Sequence, residues 1–478
     1  MIISKLKNIL ILALTVILLH LCGFSLLKEG YAYNFNEISE QKVSADSIIP
    51  IIDYSDDKIY SLMLAQAVTQ TDKRNVRVAF VGDSYIEGDI LTMDVREMLQ
   101  DGYGGFGLGF MPITSVAAKF QGTAKHTFSS DWTTKFIARS PNEGRYLLSG
   151  TQFLPKEGSW VSYSPTSYKE GASKINKATL IFTNSGNSRF SVVVNGEKTL
   201  EFNPSSADTL QSITIHEDKI NSIKFQFYNV EGLTVYGALL DGSEVGVSVD
   251  NFSIRGNSGI NMSYSDKELI MDSRKDMRYD LVVLEYGLNV CYEGRLNYSS
   301  YTYAMKKAVE RVKECYPESA ILIMGVSERA FVKDGVARLL EFIPALEKEQ
   351  RKMAEECKVM YWNTFDAMQT YGGVLKFVEN GWAAKDHIHI NVTGGKMLAA
   401  KLNEAILQSV DRNRGRIADT NILESISVSN YPNTVWKFNL FDFIEVEKND
   451  ISKDIKIEKL INLEEENTST NKRRVWKK

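Results

Sequence analysis

VRVAFVGDSY, residues 76–85, is the stretch that decides the fold, because an apolar run ends there in the turn Gly82-Asp83-Ser84. The run predicts a buried strand, and Gly, Asp and Ser are typical of the turn that ends one. The segment LTMDVREMLQ, residues 91–100, then predicts a helix. A serine between a strand and a helix lies where a nucleophilic hydroxyl is found in some α/β enzymes. The tripeptide alone is equally typical of an ordinary turn.

Two later segments supply the other groups that a serine nucleophile needs. YDLVVLEYGLN, residues 279–289, predicts a second buried strand that ends in Gly-x-Asn, and DHIH, residues 386–389, contains a carboxylate three residues before a histidine. Attack on an acyl carbon requires a base, a carboxylate that orients it and donors for the oxyanion. Each residue also has a structural interpretation, as a turn cap or a buried histidine. Their joint appearance favours a catalytic site.

In this order the segments resemble those of the SGNH, or GDSL-like, hydrolase superfamily, whose blocks carry Gly-Asp-Ser, Gly-x-Asn and Asp-x-x-His. The resemblance implies that Ser84 is the nucleophile and His389 the general base. It further implies that Asp386 orients His389 and that Asn289 donates to the oxyanion. His389, rather than His387, has the required spacing from Asp386. These residues imply an acyl-serine intermediate.

The second block of that superfamily is a glycine whose backbone N–H also donates to the oxyanion. Gly259, in a Ser-Gly pair, is the candidate here, with Gly256 as the alternative. Within the superfamily, GDSYIEGD at 82–89, GGFGLGF at 104–110 and Gly381-Trp382 are similar to bacterial peptidoglycan O-acetylesterases. Those enzymes carry an inserted β-rich domain that resembles a carbohydrate-binding module. The resemblance covers about residues 76–410.

The fold class that follows is α/β, with a flavodoxin-like three-layer α/β/α hydrolase domain and a parallel sheet. We predict that this domain is discontinuous, formed by 76–114 and 256–410 and interrupted by a β-sandwich at 115–255. The inserted segment shows alternating residues and the hairpin signal Asn195-Gly196. Its Trp132 and Trp160 are candidates for stacking on sugar rings, although such aromatic residues more often pack in a core.

After residue 279 the pattern alternates between strands and helices, which implies a parallel sheet covered on both faces. The residues predict helices at 301–315, 336–357 and 392–410, and strands at 320–325 and 359–362. The catalytic blocks then lie at the carboxyl ends of strands, where open α/β sheets place their sites.

The N-terminal end of the chain suggests export. Residues 1–30 contain a short basic segment and a long apolar run, which is typical of a signal peptide or an uncleaved membrane anchor. Residues 31–75 form a polar lead-in, and 411–478 form a charged extension whose end we predict to be disordered. We therefore expect an exported protein of the periplasm or cell envelope.

The composition argues against nucleic-acid and metal partners. The chain has 478 residues, 44% of them hydrophobic, which is enough for two or three cored domains. A net charge of −4 argues against a nucleic-acid partner. The four cysteines and five histidines show no spacing typical of a zinc site. We expect no metal and no cofactor.

The sequence therefore predicts an SGNH-type carbohydrate O-acetylesterase that acts on an acetylated glycan, with cell-wall peptidoglycan as the leading substrate. The same nucleophile and base would also serve a polysaccharide O-acetyltransferase fed by a membrane acyltransferase partner. A third class is a glycan-binding protein without catalysis. Intact Ser84, Asp386 and His389 favour an enzyme over that class.

Overall fold

The structure is a computed structural model that describes residues 44, 46–333, 336–339, 341–417 and 442–446. The predicted signal or anchor segment at 1–30, most of the lead-in before 46 and most of the charged extension after 417 lie outside the described residues. No helix in the described part of the chain combines the length and apolar character needed to cross a bilayer.

The strands are numbered along the chain. They are β1 Ile52–Asp53, β2 Asn75–Gly82, β3 Gly107–Met111, β4 Ala124–Phe128, β5 Thr133–Phe136, β6 Thr151–Leu154, β7 Trp160–Pro165, β8 Lys177–Asn184, β9 Arg189–Val194, β10 Lys198–Asn203, β11 Ala207–His216, β12 Ile223–Tyr228, β13 Leu233–Asp241, β14 Gly246–Ser253, β15 Leu281–Glu285, β16 Ala320–Met324, β17 Ala330–Lys333, β18 Val336–Leu339, β19 Met360–Trp362 and β20 Asp442–Val446.

The helices are also numbered along the chain, and four short 3-10 segments are left without labels. They are α1 Ile59–Val68, α2 Thr92–Tyr103, α3 Glu170–Ser173, α4 Lys267–Ser273, α5 Ser299–Cys315, α6 Phe342–Glu356, α7 Thr364–Gln369, α8 Gly373–Glu379 and α9 Val392–Ile417.

The central sheet has the strand order β1-β19-β16-β15-β2-β14. All of its neighbouring pairs are parallel except β1 with β19 at the edge. In chain order its parallel strands follow the flavodoxin-like arrangement 2-1-3-4-5, in which the order reverses beside the first strand. That strand is β2, so the turn that carries Ser84 lies at the switch point of the sheet.

Burial along the central strands explains their composition. All five residues of β15 are buried, as are all residues of β2 after Asn75. Because successive side chains of a strand point to opposite faces, both faces of the sheet are covered. Helix α9 contacts both α1 and α2, and α5 contacts both α4 and α6. The α/β fold class is confirmed.

Most of the β-rich segment forms two antiparallel sheets. One has the order β20-β10-β9-β12-β7-β4, and the other has the order β11-β8-β13-β6-β5 with β3 also paired to β13. Buried side chains from both sheets form one hydrophobic cluster, with Val192 and Phe225 from the first and Leu180 and Val235 from the second. The β character predicted for 115–255 is therefore present.

The structure places two boundaries differently from the sequence analysis. Strand β14, which was assigned to the insert at 115–255, is a parallel neighbour of β2 in the central sheet. Strand β3, which was assigned to the hydrolase segment 76–114, pairs with β13 in an antiparallel sheet. Both pairings join residues far apart in the chain, and local alternation does not reveal a strand's partner.

The predicted helix at 336–357 begins later than expected. Residues 336–339 form β18, which pairs with β17, and the helix α6 starts at Phe342. The residues have the apolar spacing of a helix, but cross-strand pairing in the hairpin takes precedence over that local preference.

Candidate active site

The nucleophile turn follows β2 directly. Gly82 ends the strand against the neighbouring β15, where a Cβ at this position would lie 2.7 Å from Oε2 of Glu285. Asp83 is buried and its Oδ1 accepts the Tyr85 N–H at 2.9 Å. This local hydrogen bond closes the turn, and Ser84 is left half-buried at the carboxyl edge of the sheet.

Ser84 contacts the predicted base. Its Oγ lies 3.2 Å from Nε2 of His389, and Nδ1 of His389 lies 2.7 Å from Oδ2 of Asp386. An ionised carboxylate only accepts hydrogen bonds, so the proton of a neutral imidazole belongs on Nδ1. Nε2 is then free to accept the proton of the Ser84 hydroxyl. The structure thus brings Ser84, His389 and Asp386 into one hydrogen-bonded chain.

Asp386 is held in its ionised form. Partial burial acts to raise the pKa of its carboxyl, but hydrogen bonds from the His389 ring and from the backbone at His389 and Ile388 lower the pKa below its ordinary value. The two backbone N–H groups donate to Oδ1 at 2.9 Å and 3.0 Å. The short spacing from Asp386 to His389 therefore forms a local turn that orients the imidazole.

His387 has a different environment. Its Nδ1 lies 2.9 Å from the Lys385 carbonyl oxygen, and its φ of 58° is in the left-handed region. Its backbone N–H and carbonyl bond to Ala384 and Ala330 respectively. None of these hydrogen bonds joins His387 to the side chain of Ser84 or Asp386.

Asn289 reaches the nucleophile turn through Asp83. It lies on the short turn Leu288–Val290 after β15, and its Nδ2 donates to Oδ2 of Asp83 at 2.7 Å and to the Asn257 carbonyl at 3.0 Å. Both hydrogens of its amide group are thereby engaged. Asn289 links three segments of the site, and its role as an oxyanion donor stays a prediction.

The two candidate glycines differ in environment. Gly259 is buried with φ at +84°, and a Cβ there would lie 2.6 Å from the Tyr286 ring. Its N–H donates to Oδ1 of Asn257 at 3.0 Å. Gly256 is exposed, and a Cβ there would meet nothing within 4 Å. The N–H of Ser84 has no hydrogen-bond acceptor among the described residues, which makes it a further candidate donor.

A buried pair of carboxyl groups lies beneath the nucleophile. Glu285, the last residue of β15, is 2% exposed, and its Oε2 accepts the Asp83 N–H at 3.4 Å. Burial raises the pKa of Glu285 well above its ordinary value, and the nearby Asp83 carboxyl raises it further. Burial also raises the pKa of Asp83, against the lowering effect of the hydrogen bonds from Tyr85 and Asn289. Sequence analysis missed Glu285, although an acidic residue ending an apolar strand was a visible signal.

The structure does not bring the two tryptophans to the triad. Trp132 packs edge-on against Phe227, with 5.3 Å between ring centroids, and its indole N–H donates to the Trp160 carbonyl at 3.2 Å. Trp160 alternates along β7 with the buried Val161, so it faces away from the hydrophobic cluster. The ammonium of Lys224 lies 5.0 Å from its ring. These contacts indicate packing for Trp132, while Trp160 is half-buried on the outer side of its strand with Lys224 over its ring.

Within the described residues, no group of three or more His, Cys, Asp or Glu side chains could hold a metal ion. The described cysteines Cys291, Cys315 and Cys357 are buried and unbonded to one another.

No protein-family model matches the chain, and no curated protein matches it. A solved structure of a peptidoglycan O-acetylesterase is similar at 20% identity and a TM-score of 0.62, over 76% of this chain and 99% of that chain. A family two carbohydrate esterase from Cellvibrio japonicus is also found, at 12% identity and a TM-score of 0.25, over 60% of this chain and 98% of that chain. Of these two structures, only the peptidoglycan O-acetylesterase has a TM-score high enough to show a shared fold. It confirms the fold that the SGNH resemblance implies.

Proposed function

We propose that this chain is an exported serine esterase that removes O-acetyl groups from a polysaccharide through an acyl-serine intermediate. The observation that carries this proposal is the hydrogen-bonded chain from Ser84 Oγ through His389 to Asp386, with both contacts at 3.2 Å or less. This is the arrangement of nucleophile, base and orienting carboxylate that acyl transfer requires.

In the first half of the reaction, Ser84 Oγ attacks the acetyl carbonyl carbon while His389 Nε2 takes the hydroxyl proton. The tetrahedral intermediate then collapses, the sugar oxygen leaves with the proton from Nε2, and acetyl-Ser84 remains. In the second half, a water gives a proton to Nε2 and attacks the acetyl carbon. The bond between the acetyl carbon and Ser84 Oγ then breaks, Oγ regains its proton from Nε2, and acetic acid is released and ionises to acetate in solution. Asp386 stays ionised throughout and stabilises the imidazolium.

The oxyanion needs donors that point at the position where its charge develops. The Ser84 N–H is the first of these, because it has no competing acceptor among the described residues. Asn289 is the second, and donating to the oxyanion requires one of its amide hydrogens to leave Asp83 or Asn257. The Gly259 N–H would likewise have to leave its present acceptor, Oδ1 of Asn257, before it could donate to the oxyanion. Substrate binding would thus reorganise hydrogen bonds around Asn257.

A glycan substrate is supported by the fold likeness to a peptidoglycan O-acetylesterase. We further propose that the two antiparallel sheets form an inserted β-sandwich domain that binds the polymer, with Trp160, which faces away from the hydrophobic cluster, rather than Trp132 as the candidate for stacking on sugar rings. The export signal predicted at 1–30 would deliver the enzyme to the periplasm or cell envelope, where such a substrate occurs.

The test is acetate release by the purified protein from O-acetylated peptidoglycan and from acetylated xylan, with Ser84→Ala as the matched control. We expect release from at least one polymer and none with the variant. Acetyl groups appearing on added oligosaccharide acceptors, with little free acetate, would instead identify an O-acetyltransferase. Retention of polysaccharide without acetate release or acetyl transfer would identify a binding protein and overturn the proposed catalysis.

A further inference from the structure

A cavity of about 390 Å³ lies beside the nucleophile turn. It is lined by residues 87–89 and 253–255, and by residues of β3, β5 and β6. Two segments of the lining are bonded to the nucleophile turn: the Glu87 N–H donates to the Ser84 carbonyl at 3.4 Å, and the Ile254 N–H donates to the Gly82 carbonyl at 3.0 Å. Its volume is within the range of about 300–1,000 Å³ for ligand sites.

The charges that line this cavity do not balance. Arg96 forms a buried ion pair with Asp89 at 2.6 Å, and Arg255 pairs with Glu87. Arg139 is exposed, and its guanidinium has no carboxylate partner among the described residues; it lies 5.7 Å from the centre of the Phe136 ring. The lining therefore carries one excess positive charge, held by a group that binds carboxylates with two parallel hydrogen bonds.

The lining also offers hydroxyl groups. Ser149 is 5% exposed, and its hydroxyl has no hydrogen-bond partner among the described residues. Thr114 and Thr134 pair their hydroxyls at 3.0 Å. Because an unpaired buried hydroxyl destabilises the site, a bound polar group that pairs with the Ser149 hydroxyl would be favoured. Phe110 and Phe153 provide apolar surface beside these groups.

We propose that this cavity is a substrate subsite that binds a carboxylate-bearing unit of the acetylated glycan, with Arg139 as the residue that recognises the carboxylate. The proposal rests on the proposed esterase function, since it assigns the cavity to the glycan whose acetyl group Ser84 attacks. Two sources carry this chemistry, a stem peptide attached to the glycan and a uronic acid within it. Arg139 selects the substrate and takes no part in proton transfer.

The experiment compares kcat/KM on O-acetylated peptidoglycan, on acetylated polygalacturonate and on acetylated glucomannan, which carries no carboxylate. Arg139→Gln should lower the preference for a carboxylate-bearing polymer over glucomannan about tenfold, mainly through KM. Arg139→Lys should retain part of the preference. The matched control is Arg412→Gln, an exposed arginine of α9 that does not line the cavity, and it should behave as the parent protein does.

The polymer that shows the loss identifies the source: peptidoglycan indicates a peptide carboxylate, and polygalacturonate indicates a uronic acid. An unchanged preference in Arg139→Gln overturns the subsite even if acetate is released.

A second experiment needs no hydrolysis: calorimetry measures the binding of peptidoglycan fragments and of oligogalacturonate to Ser84→Ala, with and without Arg139→Gln. Weaker binding by the double variant, with no acetate release by the parent, would support the subsite and refute the esterase. Equal binding and no hydrolysis would refute both.

Discussion

At the scale of single residues, the candidate site combines one unit formed by near neighbours in the chain with one contact between residues far apart in the chain. The unit is the turn from Asp386 to His389, in which the Asp386 carboxylate bonds to the His389 ring and accepts the backbone N–H groups of Ile388 and His389. The long-range contact is the 3.2 Å approach of Ser84 to His389, residues 305 positions apart. Catalysis depends on both, because an oriented base without a nearby nucleophile activates nothing.

We expect Ser84→Ala and His389→Ala each to reduce acetyl-ester hydrolysis by at least about 10³-fold, because members of a triad act as a unit. His387→Asn should retain most of the activity. Asparagine tolerates the left-handed φ at this position, and the His387 ring is hydrogen-bonded to the Lys385 carbonyl rather than to Ser84 or Asp386. Initial rates on an aryl acetate and on an acetylated polymer provide the measurement. Full activity in His389→Ala would refute the assignment of the base.

Glu285 provides a prediction about pH. Its pKa is raised by burial above the ordinary value of 4.5, so the folded state holds a proton that the unfolded state releases. The free energy of unfolding contributed by this group therefore falls as pH rises above 4.5 and through the folded pKa. Each unit of the raised pKa corresponds to about 1.4 kcal/mol.

Glu285→Gln removes this titration and nearly preserves the shape of the side chain. We expect the stability of the variant relative to the parent to increase between pH 4.5 and pH 8, measured by urea unfolding at several pH values. Glu170→Gln, at an exposed position on α3, is the control and should show no such rise. A pH-independent difference at Glu285 would contradict a buried, protonated carboxyl.

At the scale of elements, the decisive feature is the close approach of β2 and β15 where both strands end. Glycine at position 82 permits it, because a Cβ there would lie 2.7 Å from Oε2 and 2.9 Å from the carbonyl oxygen of Glu285. The two strand ends carry Ser84 and Asn289, and Asp83 joins them through the Asn289 amide. Strand packing therefore sets the position of the nucleophile.

We expect Gly82→Ala to lower kcat on an aryl acetate at least about tenfold, because a displaced strand end misplaces Ser84 by a fraction of an ångström or more. Gly102→Ala is the matched control. It lies on α2 where a Cβ meets nothing within 4 Å, and alanine favours a helix by about 1 kcal/mol over glycine. The control should keep its activity and gain stability. Parental kcat in Gly82→Ala would show that the contact is not needed.

At the scale of the whole molecule, a buried ionic network joins the parallel sheet to an antiparallel sheet. Arg77 of β2 bonds to Asp241 of β13 at 2.6 Å and to Asp250 of β14 at 3.2 Å. Asp250 also accepts the Phe110 N–H of β3 at 2.8 Å and the Tyr279 hydroxyl at 2.7 Å. Removing the guanidinium would leave two carboxylates buried without their cation.

Arg77→Met should destabilise the protein by about 3–5 kcal/mol, which is the usual effect of breaking a buried ion pair on one side. Arg414→Met is the matched control, because its pair with Asp411 is 64% exposed at both side chains, and such pairs contribute about 1 kcal/mol or less. Chemical denaturation followed by circular dichroism measures both. A loss no larger than that of the control would show that the network does not join the sheets energetically.

The sequence alone determined the features that depend on neighbours in the chain. The apolar run before Ser84, the similar run before Asn289 and the spacing of Asp386 and His389 predicted two strands and a catalytic unit, because strand burial and tight turns follow from local residue types. The α/β class and the β character of the middle segment followed from the same patterns.

Only the tertiary structure decided which distant residues meet. It placed β14 beside β2, directed the Asn289 amide to Asp83, buried Glu285 beneath the nucleophile and gathered Arg139 and Ser149 around one cavity. The order of strands in a sheet depends on the packing of the whole chain, and local propensity carries no information about a strand's partner. The sequence thus determined the candidate chemical groups, while sheet order determined the geometry in which they act.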